Sequence, residues 1–323
     1  MVKLYPLTFE PIFKARIWGG RHLETLYGKP LPAGQRVGES WEICDRPGDE
    51  SVVAHGPCRG RTLHWLMEQA PGELLGSRGA APGRFPLLIK IIDAQDKLSL
   101  QVHPPADVAA RLGGEPKTEM WYVAQAERGA ELFVGLKKGV SRAEFERQLA
   151  AHTVERCFHR IAAKEGDAMF LPSGRVHALG AGMVIFEIQQ NSDTTYRVFD
   201  WNRVDKDGKA RELHLAQALA SIEFGDYEPA LLPRLIATDD PGTVRPLVRD
   251  DLFSVDLRQW EGGGQLAMTV GRMRIFGVVH GALRIEGAGE VVELGAGQFC
   301  LVPAQCEGIV ARAQVATTFL EVR

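Results

Sequence analysis

Short apolar runs separated by turn residues are the main pattern along this chain. Glycine and proline interrupt the sequence every ten to fifteen residues over long stretches. A series of short strands with such punctuation is typical of a β-sandwich or a jelly roll. Strands are predicted at 86–92, 97–103, 119–124, 131–135, 168–171, 183–190, 195–200, 265–270, 274–279, 282–286, 290–294, 298–302 and 316–322.

Helical patterns are fewer. Residues 62–70 and 211–222 have helical periodicity, and Ser141 and Glu144 have capping-box spacing ahead of an amphipathic run to His152. A looser, acidic, proline-containing stretch follows at 224–247, and we place a domain boundary there. The sequence therefore predicts a first domain at 1–240, with helical insertions, and a second domain at 241–323.

An internal repeat supports two related units. The segment from Gly166 to Pro172 has a glycine, five residues and a proline, and the segment from Gly297 to Pro303 has the same spacing. In both copies a turn glycine leads into a short apolar strand that proline ends. Five positions after the proline, the first copy has His177 and the second has Gly308.

Composition excludes several classes of function. The chain has 323 residues and a net charge of −3, without a large block of one sign, so neither a nucleic-acid nor a membrane partner is expected. No segment is long and apolar enough to span a bilayer, and no secretory signal is found. The cysteines are odd in number and lack CxxC spacing, which indicates reduced thiols in a cytoplasmic protein; they are Cys44, Cys58, Cys157, Cys300 and Cys306.

Candidate metal ligands lie in and after the strand that reads KLSLQVHP, residues 97–104. Because side chains alternate along a strand, Gln101 and His103 project from one face. With Glu119 and His177, they offer two imidazoles, a carboxylate and an amide, a set that suits an open zinc site. For any one of these side chains alone, a hydrogen-bonded polar group inside a barrel is an ordinary alternative.

The residues around His177 resemble the second motif of the cupin superfamily. The pattern G-x5-P-x-G-x2-H is complete at Gly166, Pro172, Gly174 and His177. The resemblance implies a mainly β protein made of two cupin-type jelly-roll barrels with a few short helices. It implies a metal in the mouth of the first barrel. The second barrel, with Gly308 in place of the histidine, is expected to be metal-free.

Longer motifs make the resemblance more specific. SLQVHP, KTEMWY and FEIQQNSDTTYRVFDWNR, with IWGG and GESWEI near the start, resemble type I phosphomannose isomerase in its short bacterial form. That resemblance implies one Zn²⁺ per chain, held by Gln101, His103, Glu119 and His177. It also implies interconversion of mannose 6-phosphate and fructose 6-phosphate.

Aldose–ketose isomerisation needs a base near carbon, stabilisation of a developing oxyanion, and a site for the phosphate. The resemblance points to pocket residues at Glu187, Arg197, Lys117 and Lys90. We assign proton transfer to Glu187 or Lys117, and binding of the substrate anion to Arg197 with Lys90. Arg197 is also assigned a catalytic role, because its guanidinium can hold the developing enediolate. Ser99 lies on the same strand face as Gln101 and is a further phosphate ligand. Ordinary alternatives are a structural Glu–Arg salt bridge and lysine stems that cover apolar surface.

Two other functions remain open. Cupins with two histidines and a carboxylate also bind Fe(II) and activate oxygen, so the protein is alternatively an Fe(II) cupin dioxygenase. It is alternatively a non-catalytic cupin that binds a sugar phosphate. For the isomerase and for this non-catalytic sensor, the expected partner is a small sugar phosphate. The chain is expected to be a monomer or homodimer.

Overall fold

The computed structural model describes residues 3–76, 83–204 and 208–323. The strands are β1 Ile12–Gly20, β2 Val37–Ile43, β3 Asp45–Arg46, β4 Asp49–Glu50, β5 Leu87–Ala94, β6 Leu100–Val102, β7 Glu119–Ala126, β8 Glu131–Leu136, β9 Phe158–Ala162, β10 Ala168–Leu171, β11 His177–Leu179, β12 Met183–Gln190, β13 Tyr196–Phe199, β14 Ala237–Asp239, β15 Gly242–Arg249, β16 Ser254–Trp260, β17 Gln265–Ala267, β18 Arg274–His280, β19 Ala282–Gly287, β20 Glu290–Gly295, β21 Phe299–Val302, β22 Val310–Ala313 and β23 Thr317–Val322. The helices are α1 His22–Tyr27, α2 Leu63–Gln69, α3 Pro71–Leu75, α4 Ala106–Leu112, α5 Arg142–Ala150 and α6 Leu215–Ser221, with a 3₁₀ turn at Val154–Cys157.

The prediction of a mainly β protein with a few short helices is confirmed. Every strand predicted from the pattern is present, most with ends shifted by one to three residues. The three predicted helices are α2, α5 and α6, and the Ser141 hydroxyl caps α5 by accepting from the Glu144 N–H at 3.2 Å. The arrangement as two jelly-roll barrels stays a prediction.

The described residues fall into two compact units. The central unit consists of Ala15–Gly20 and Ile92–Leu232, and the terminal unit of Met1–Lys14, Arg21–Ile91 and Pro233–Arg323. This division breaks near the predicted boundary at 240, but it groups the amino-terminal segment with the carboxyl-terminal strands. Backbone hydrogen bonds explain the grouping, because Leu7 and Leu301 exchange two bonds of 2.8 Å and the Ala304 N–H donates to the Leu74 carbonyl at 3.0 Å.

In the central unit, two sets of strands carry or flank all the residues predicted for the site except Lys90, which belongs to the terminal unit. One is a sheet of order β13-β6-β11-β8-β9, and the other places β7 between β12 and β10. Its core is aliphatic and aromatic, with Phe133, Phe145 and Phe158 packed in one cluster and Trp18, Trp121 and Met169 in another.

In the terminal unit, a sheet of order β14-β15-β16-β23-β18-β21 accompanies one of order β17-β22-β19-β20. Its β15 begins inside the acidic stretch 224–247 that the sequence suggested to be a boundary. β15 pairs with β16, with a bulge between Pro246 and Val248. Because β14 at Ala237–Asp239 also lies inside this stretch, the chain resumes sheet structure before the predicted boundary at 240.

β2 was missed because polar residues occupy buried positions on it. All seven of its residues are buried, although three are Glu39, Ser40 and Glu42. The charges are compensated internally: Lys29 Nζ lies 2.7 Å from Glu42, and the Trp41 indole donates to Glu39 at 2.7 Å. A strand with paired charges inside does not show the apolar–polar alternation that predicts a half-buried strand.

The internal repeat has the same backbone hydrogen bonds in both copies. Gly166 and Gly297 have positive φ, 81° and 75°, and each donates its N–H to a valine carbonyl, at 2.9 and 2.8 Å. Those valines, Val123 and Val278, donate back to the residue after the glycine, at 2.8 and 3.1 Å. The two glycine turns are therefore equivalent, and β7 with β10 corresponds to β18 with β21.

This equivalence shows what stands in the second copy at the predicted ligand positions. Leu171 and Val302 both precede the motif proline, and they pair with Glu119 and Arg274. Arg274 therefore takes the place of Glu119.

One strand further along, the correspondence continues. Glu187 lies opposite Trp121, and Glu321 lies opposite Phe276, two residues beyond Arg274. Glu321 is fully buried and pairs with Arg274, and with Arg258 at 2.6 Å.

No helix in the described part of the chain is long and apolar enough to cross a membrane.

The Glu321 network predicts a pH-dependent stability. Burial alone raises the pKa of this carboxyl, but Arg258 and Arg274 outweigh it, so the pKa lies below its ordinary value of 4.5. A lowered pKa in the folded state contributes stability above pH 4.5 that is lost as the pH falls through the folded-state pKa. Glu321→Gln removes the carboxylate partner of Arg274 and leaves Arg258 with Asp239, and it is expected to cost roughly 3–5 kcal/mol at pH 7.

Denaturant unfolding at pH 7 and below pH 4 measures this effect. The difference between wild type and Glu321→Gln should shrink at the lower pH. Glu293→Gln is the matched control, because Glu293 is an exposed partner of Arg284 in the same unit, and it should change stability by less than about 0.5 kcal/mol. A Glu321→Gln protein as stable as wild type at pH 7 would contradict the expectation.

Candidate active site

Three predicted ligands meet in the interior of the central unit. His103 follows β6, Glu119 opens β7, and His177 opens β11. One ligand atom from each lies within 4.8 Å of the others, and all three side chains are buried. Glu119 lies between the two rings: its Oε2 is 3.5 Å from His103 Nε2, and its Oε1 is 3.2 Å from His177 Nε2.

Strand pairing explains why residues so distant in sequence converge. His177 is the direct cross-strand partner of Gln101, so both side chains leave the same face of their sheet. Glu119 comes from β7, which belongs to the other set of strands in this unit. The cluster is therefore built from two sheets, and its geometry follows from backbone register.

Backbone carbonyls fix the orientation of both imidazoles. The Nδ1 atom of His103 lies 2.9 Å from the Thr194 carbonyl, and that of His177 lies 2.9 Å from the Arg175 carbonyl. Because a carbonyl only accepts, Nδ1 must carry the proton in each ring. The Nε2 lone pairs then face Glu119, as metal-ligating histidines require.

The buried polar atoms of this cluster lack ordinary partners. Among the described residues, His103 Nε2 and both carboxylate oxygens of Glu119 make no hydrogen bond of acceptable geometry. Buried polar atoms are nearly always satisfied, so this set indicates a missing partner. An electron-pair acceptor that faces two imidazole nitrogens and a carboxylate fits a borderline divalent metal.

Protonation states agree with that fit. Burial lowers the pKa of His103 to about 3, and it also lowers the pKa of His177. Burial alone raises the pKa of Glu119, but the charge of Lys117 and the nearby His103 outweigh it, and the pKa lies well below its ordinary range. Neutral imidazole and ionised carboxylate are the forms that bind a metal.

Gln101 joins the cluster through its amide. Its Nε2 lies 3.3 Å from His177 Nε2. An amide binds a metal through its oxygen, so ligation by Gln101 uses the other orientation of the same group. The predicted fourth ligand thus has its side chain beside the three that cluster.

Lys117 and Glu187 occupy different surroundings within the same unit. The Lys117 ammonium is buried and lies 3.0 Å from Glu119 Oε2. Glu187 is also buried, and its Oε1 accepts a hydrogen bond of 2.9 Å from the indole N–H of Trp121. Trp121 in turn meets His177 edge-on, with ring centroids 5.3 Å apart. A chain of direct contacts thus joins Glu187 to the metal-ligand cluster.

Arg197 lies in the same cross-strand row as His177 and Gln101. It pairs with Gln101 from the other side of β6, so its side chain leaves the same sheet face. Its Nη1 donates to the Glu212 carbonyl at 2.8 Å, and its buried Nε makes no hydrogen bond among the described residues. Burial and the nearby Arg211 lower the pKa of Arg197 from 12.5.

The remaining predicted residues are less directly connected. Ser99 is buried two residues before Gln101. Lys90 belongs to the terminal unit, where its buried ammonium lies 3.9 Å from Glu39 and 5.3 Å from the centre of the Trp41 ring.

Sequence reasoning missed Trp121 as a candidate site residue. It lies in the quoted motif KTEMWY. The only signal for Trp121 was its place two residues beyond Glu119, which puts it on the same strand face.

Comparisons with known proteins agree with these observations. Residues 7–145 match the model of the phosphomannose isomerase type I catalytic domain. The chain is 41% identical over 223 residues to the mannose-6-phosphate isomerase ManA of Bacillus subtilis, covering 68% of each protein. It is 36% identical over 299 residues to mannose-6-phosphate isomerase of Streptococcus mutans, covering 92% of each.

The fold agrees over almost the whole chain. The crystal structure of mannose 6-phosphate isomerase from Bacillus subtilis superposes with a TM-score of 0.88 at 31% sequence identity, covering 98% of this chain and 99% of that one. The chain therefore belongs to the type I phosphomannose isomerase family.

Proposed function

We propose that the protein is a zinc-dependent isomerase that interconverts mannose 6-phosphate and fructose 6-phosphate through an enediol. The proposal depends most on the buried cluster of His103, Glu119 and His177. Among the described residues, His103 Nε2 and both carboxylate oxygens of Glu119 make no hydrogen bond of acceptable geometry. Curated relatives over more than nine-tenths of the chain carry the name mannose-6-phosphate isomerase, which supports the choice of substrate.

Zinc is the proposed metal, with Gln101 as the fourth ligand. Two neutral imidazoles, a carboxylate and an amide oxygen are borderline donors without a thiolate, a set that would suit an open zinc site. When bound, zinc polarises the sugar oxygens without redox chemistry. The other chemistry belongs to side chains of this protein.

Glu187 is the better candidate for moving the proton between C1 and C2. Its carboxylate accepts a hydrogen bond from the indole N–H of Trp121, which orients it as a general base must be oriented. The ammonium of Lys117 is held 3.0 Å from Glu119 and supplies a fixed positive charge for the developing oxyanion. The sequence left these two residues as alternatives for proton transfer, and their surroundings support this division.

Arg197 is the proposed ligand for the anionic part of the substrate, with Ser99 and Lys90 as further contributors. The guanidinium leaves the same sheet face as Gln101, and its buried Nε is available for an acceptor. A planar fork of donors matches a phosphate or an enediolate.

For the overall organisation, we infer two cupin-type barrels, of which the second, around 241–323, binds no metal. The repeated glycine turn supports a common architecture. Arg274 stands where the first copy has Glu119, and Gly308 stands where it has His177, so two ligand positions in the second copy carry residues that cannot hold a metal.

Turnover of mannose 6-phosphate tests the proposed function. The purified protein should produce fructose 6-phosphate, lose that activity on chelation, and regain it with added Zn²⁺. An active protein that stays active when stripped of metal would exclude the zinc chemistry. Tight binding of the sugar phosphate without turnover would favour the sensor, and oxygen uptake on substrate addition would favour the dioxygenase.

Zinc content tests the ligand assignment without relying on activity. Wild type should contain about one zinc per chain. Loss of an outer-shell partner reduces metal affinity by roughly 10–100-fold, and Glu119→Gln, which removes a direct ligand, should reduce zinc affinity by more than that. Glu131→Gln is the control, since Glu131 lies on a strand of the same unit and is partly exposed. Equal zinc affinity in Glu119→Gln and wild type would remove this carboxylate from the ligand set.

Replacement of Arg197 tests its role with the substrate. Arg197→Ala should lower kcat/KM by roughly two to three orders of magnitude, on the scale of losing one preorganised donor, and leave zinc in place. Arg197→Lys should recover only a small part of this loss, because lysine lacks the fork geometry.

Arg160→Ala is the matched control, since Arg160 lies on β9 of the same unit and is half exposed; it should retain wild-type kinetics. Thermal stability, zinc content and isomerase rate are measured on one preparation of each variant. A stable, zinc-loaded and fully active Arg197→Ala protein would exclude the assigned role.

A further inference from the structure

The indole of Trp121 connects two groups to which the proposed function gives different tasks. Its N–H donates to Glu187 Oε1 at 2.9 Å, and its ring edge contacts His177 with centroids 5.3 Å apart. Trp121 itself is buried, with 2% of its surface exposed. A large, rigid ring in that environment has few alternative positions, so the carboxylate and the imidazole are held at a fixed separation.

The second copy of the repeat has a different arrangement at the corresponding positions. Phe276 stands in place of Trp121, and Glu321 stands in place of Glu187. Phe276 has no donor to offer, and Glu321 is instead held by Arg258 and Arg274. An indole donor therefore accompanies the copy with the ligand cluster, whereas the copy without it holds its glutamate with two cations.

The two kinds of partner have different chemical consequences. A guanidinium neutralises a carboxylate and strongly opposes its protonation, so it makes a poor neighbour for a group that must take up a proton. An indole N–H contributes one neutral hydrogen bond, which orients the carboxylate without cancelling its charge. The hydrogen bond from Trp121 thus sets the direction in which the Glu187 carboxylate points.

Building on the proposed isomerase function, we infer that Trp121 is a positioning residue for proton transfer. It holds the Glu187 carboxylate, through the indole N–H, in the orientation that meets the C1–C2 side of the sugar. Its edge contact with His177 ties that orientation to the metal-ligand cluster. Trp121 acts through Glu187 and does not itself exchange a proton.

Trp121→Phe removes the N–H and keeps an aromatic ring. The free energy of a hydrogen bond to a charged group corresponds to a fall in kcat of roughly tenfold to a hundredfold. KM should stay within about threefold of wild type. The primary isotope effect with C2-deuterated mannose 6-phosphate should increase, because misorientation slows proton transfer specifically. Zinc content should not change.

Trp260→Phe is the matched control. Trp260 is buried to the same extent and packs edge-on against Phe319, with centroids 4.8 Å apart, but its indole nitrogen has no hydrogen-bond partner among the described residues. Both variants lose a buried indole, so a general effect of packing should appear in both. Only Trp121→Phe should change kcat and the isotope effect.

Indole NMR tests the contact independently of catalysis. The protein has six tryptophans, and the two phenylalanine variants assign the N–H signals of Trp121 and Trp260. In Glu187→Gln, the Trp121 signal should move upfield because its acceptor loses charge, and the Trp260 signal should stay in place. If wild type lacks isomerase activity but this shift is seen, the proposed function fails and the Trp121–Glu187 contact stands.

Three results would overturn the inference. The first is a Trp121 signal that does not respond to Glu187→Gln. The second is a Trp121→Phe enzyme with wild-type kcat and isotope effect. The third is a loss of zinc in Trp121→Phe that is proportional to the loss of activity. That result would mean that the ring supports His177 by packing and has no separate role in proton transfer.

Discussion

The site depends on the burial of one carboxylate, Glu119, between two imidazoles. A buried charge is costly unless partners compensate it. Lys117 supplies one positive charge at 3.0 Å, but the oxygens that face His103 and His177 meet nitrogen lone pairs, which cannot donate to them. The fold thus buries a carboxylate whose oxygens and the Nε2 lone pairs of His103 and His177 repel each other unless a cation lies between them. The same preorganisation lowers the cost of binding such a cation.

The charge balance then suits the substrate. The carboxylates of Glu119 and Glu187 and the ammonium of Lys117 sum to −1, and a divalent ion changes the sum to +1. Arg197, on the same sheet face as Gln101, adds another positive charge toward that side. In the proposed enediol mechanism, a site with a net positive charge would match a sugar phosphate that becomes more negative on the way to an enediolate.

Both copies of the repeat bury a glutamate at the same register position, and they compensate it in opposite ways. Glu321 pairs with Arg258 and Arg274, which gives stability and leaves the carboxylate without free capacity. Glu187 accepts a hydrogen bond from the indole of Trp121, and we propose that it serves the substrate. In the two copies, these partners of the buried glutamate differ, whereas the backbone hydrogen bonds of the glycine turns are the same.

Features that depend on a local sequence pattern could be predicted from the sequence. Contacts that depend on the register between distant strands could not. Alternation placed Gln101 and His103 on one face, and the glycine–proline motif located His177. The donation from Trp121 to Glu187 needs the pairing of β7 with β12, across 66 residues of sequence, and no local pattern specifies that offset.

β2 was missed for a related reason. Alternation reports which side chains face water, and Glu39 and Glu42 face the interior with partners supplied from elsewhere in the chain. Polar residues that break the expected alternation are therefore informative in this protein. At Glu187 and Glu119, a charge inside an apolar strand marked a position where the fold had arranged a specific partner: the indole of Trp121 for Glu187, and the ammonium of Lys117 for Glu119.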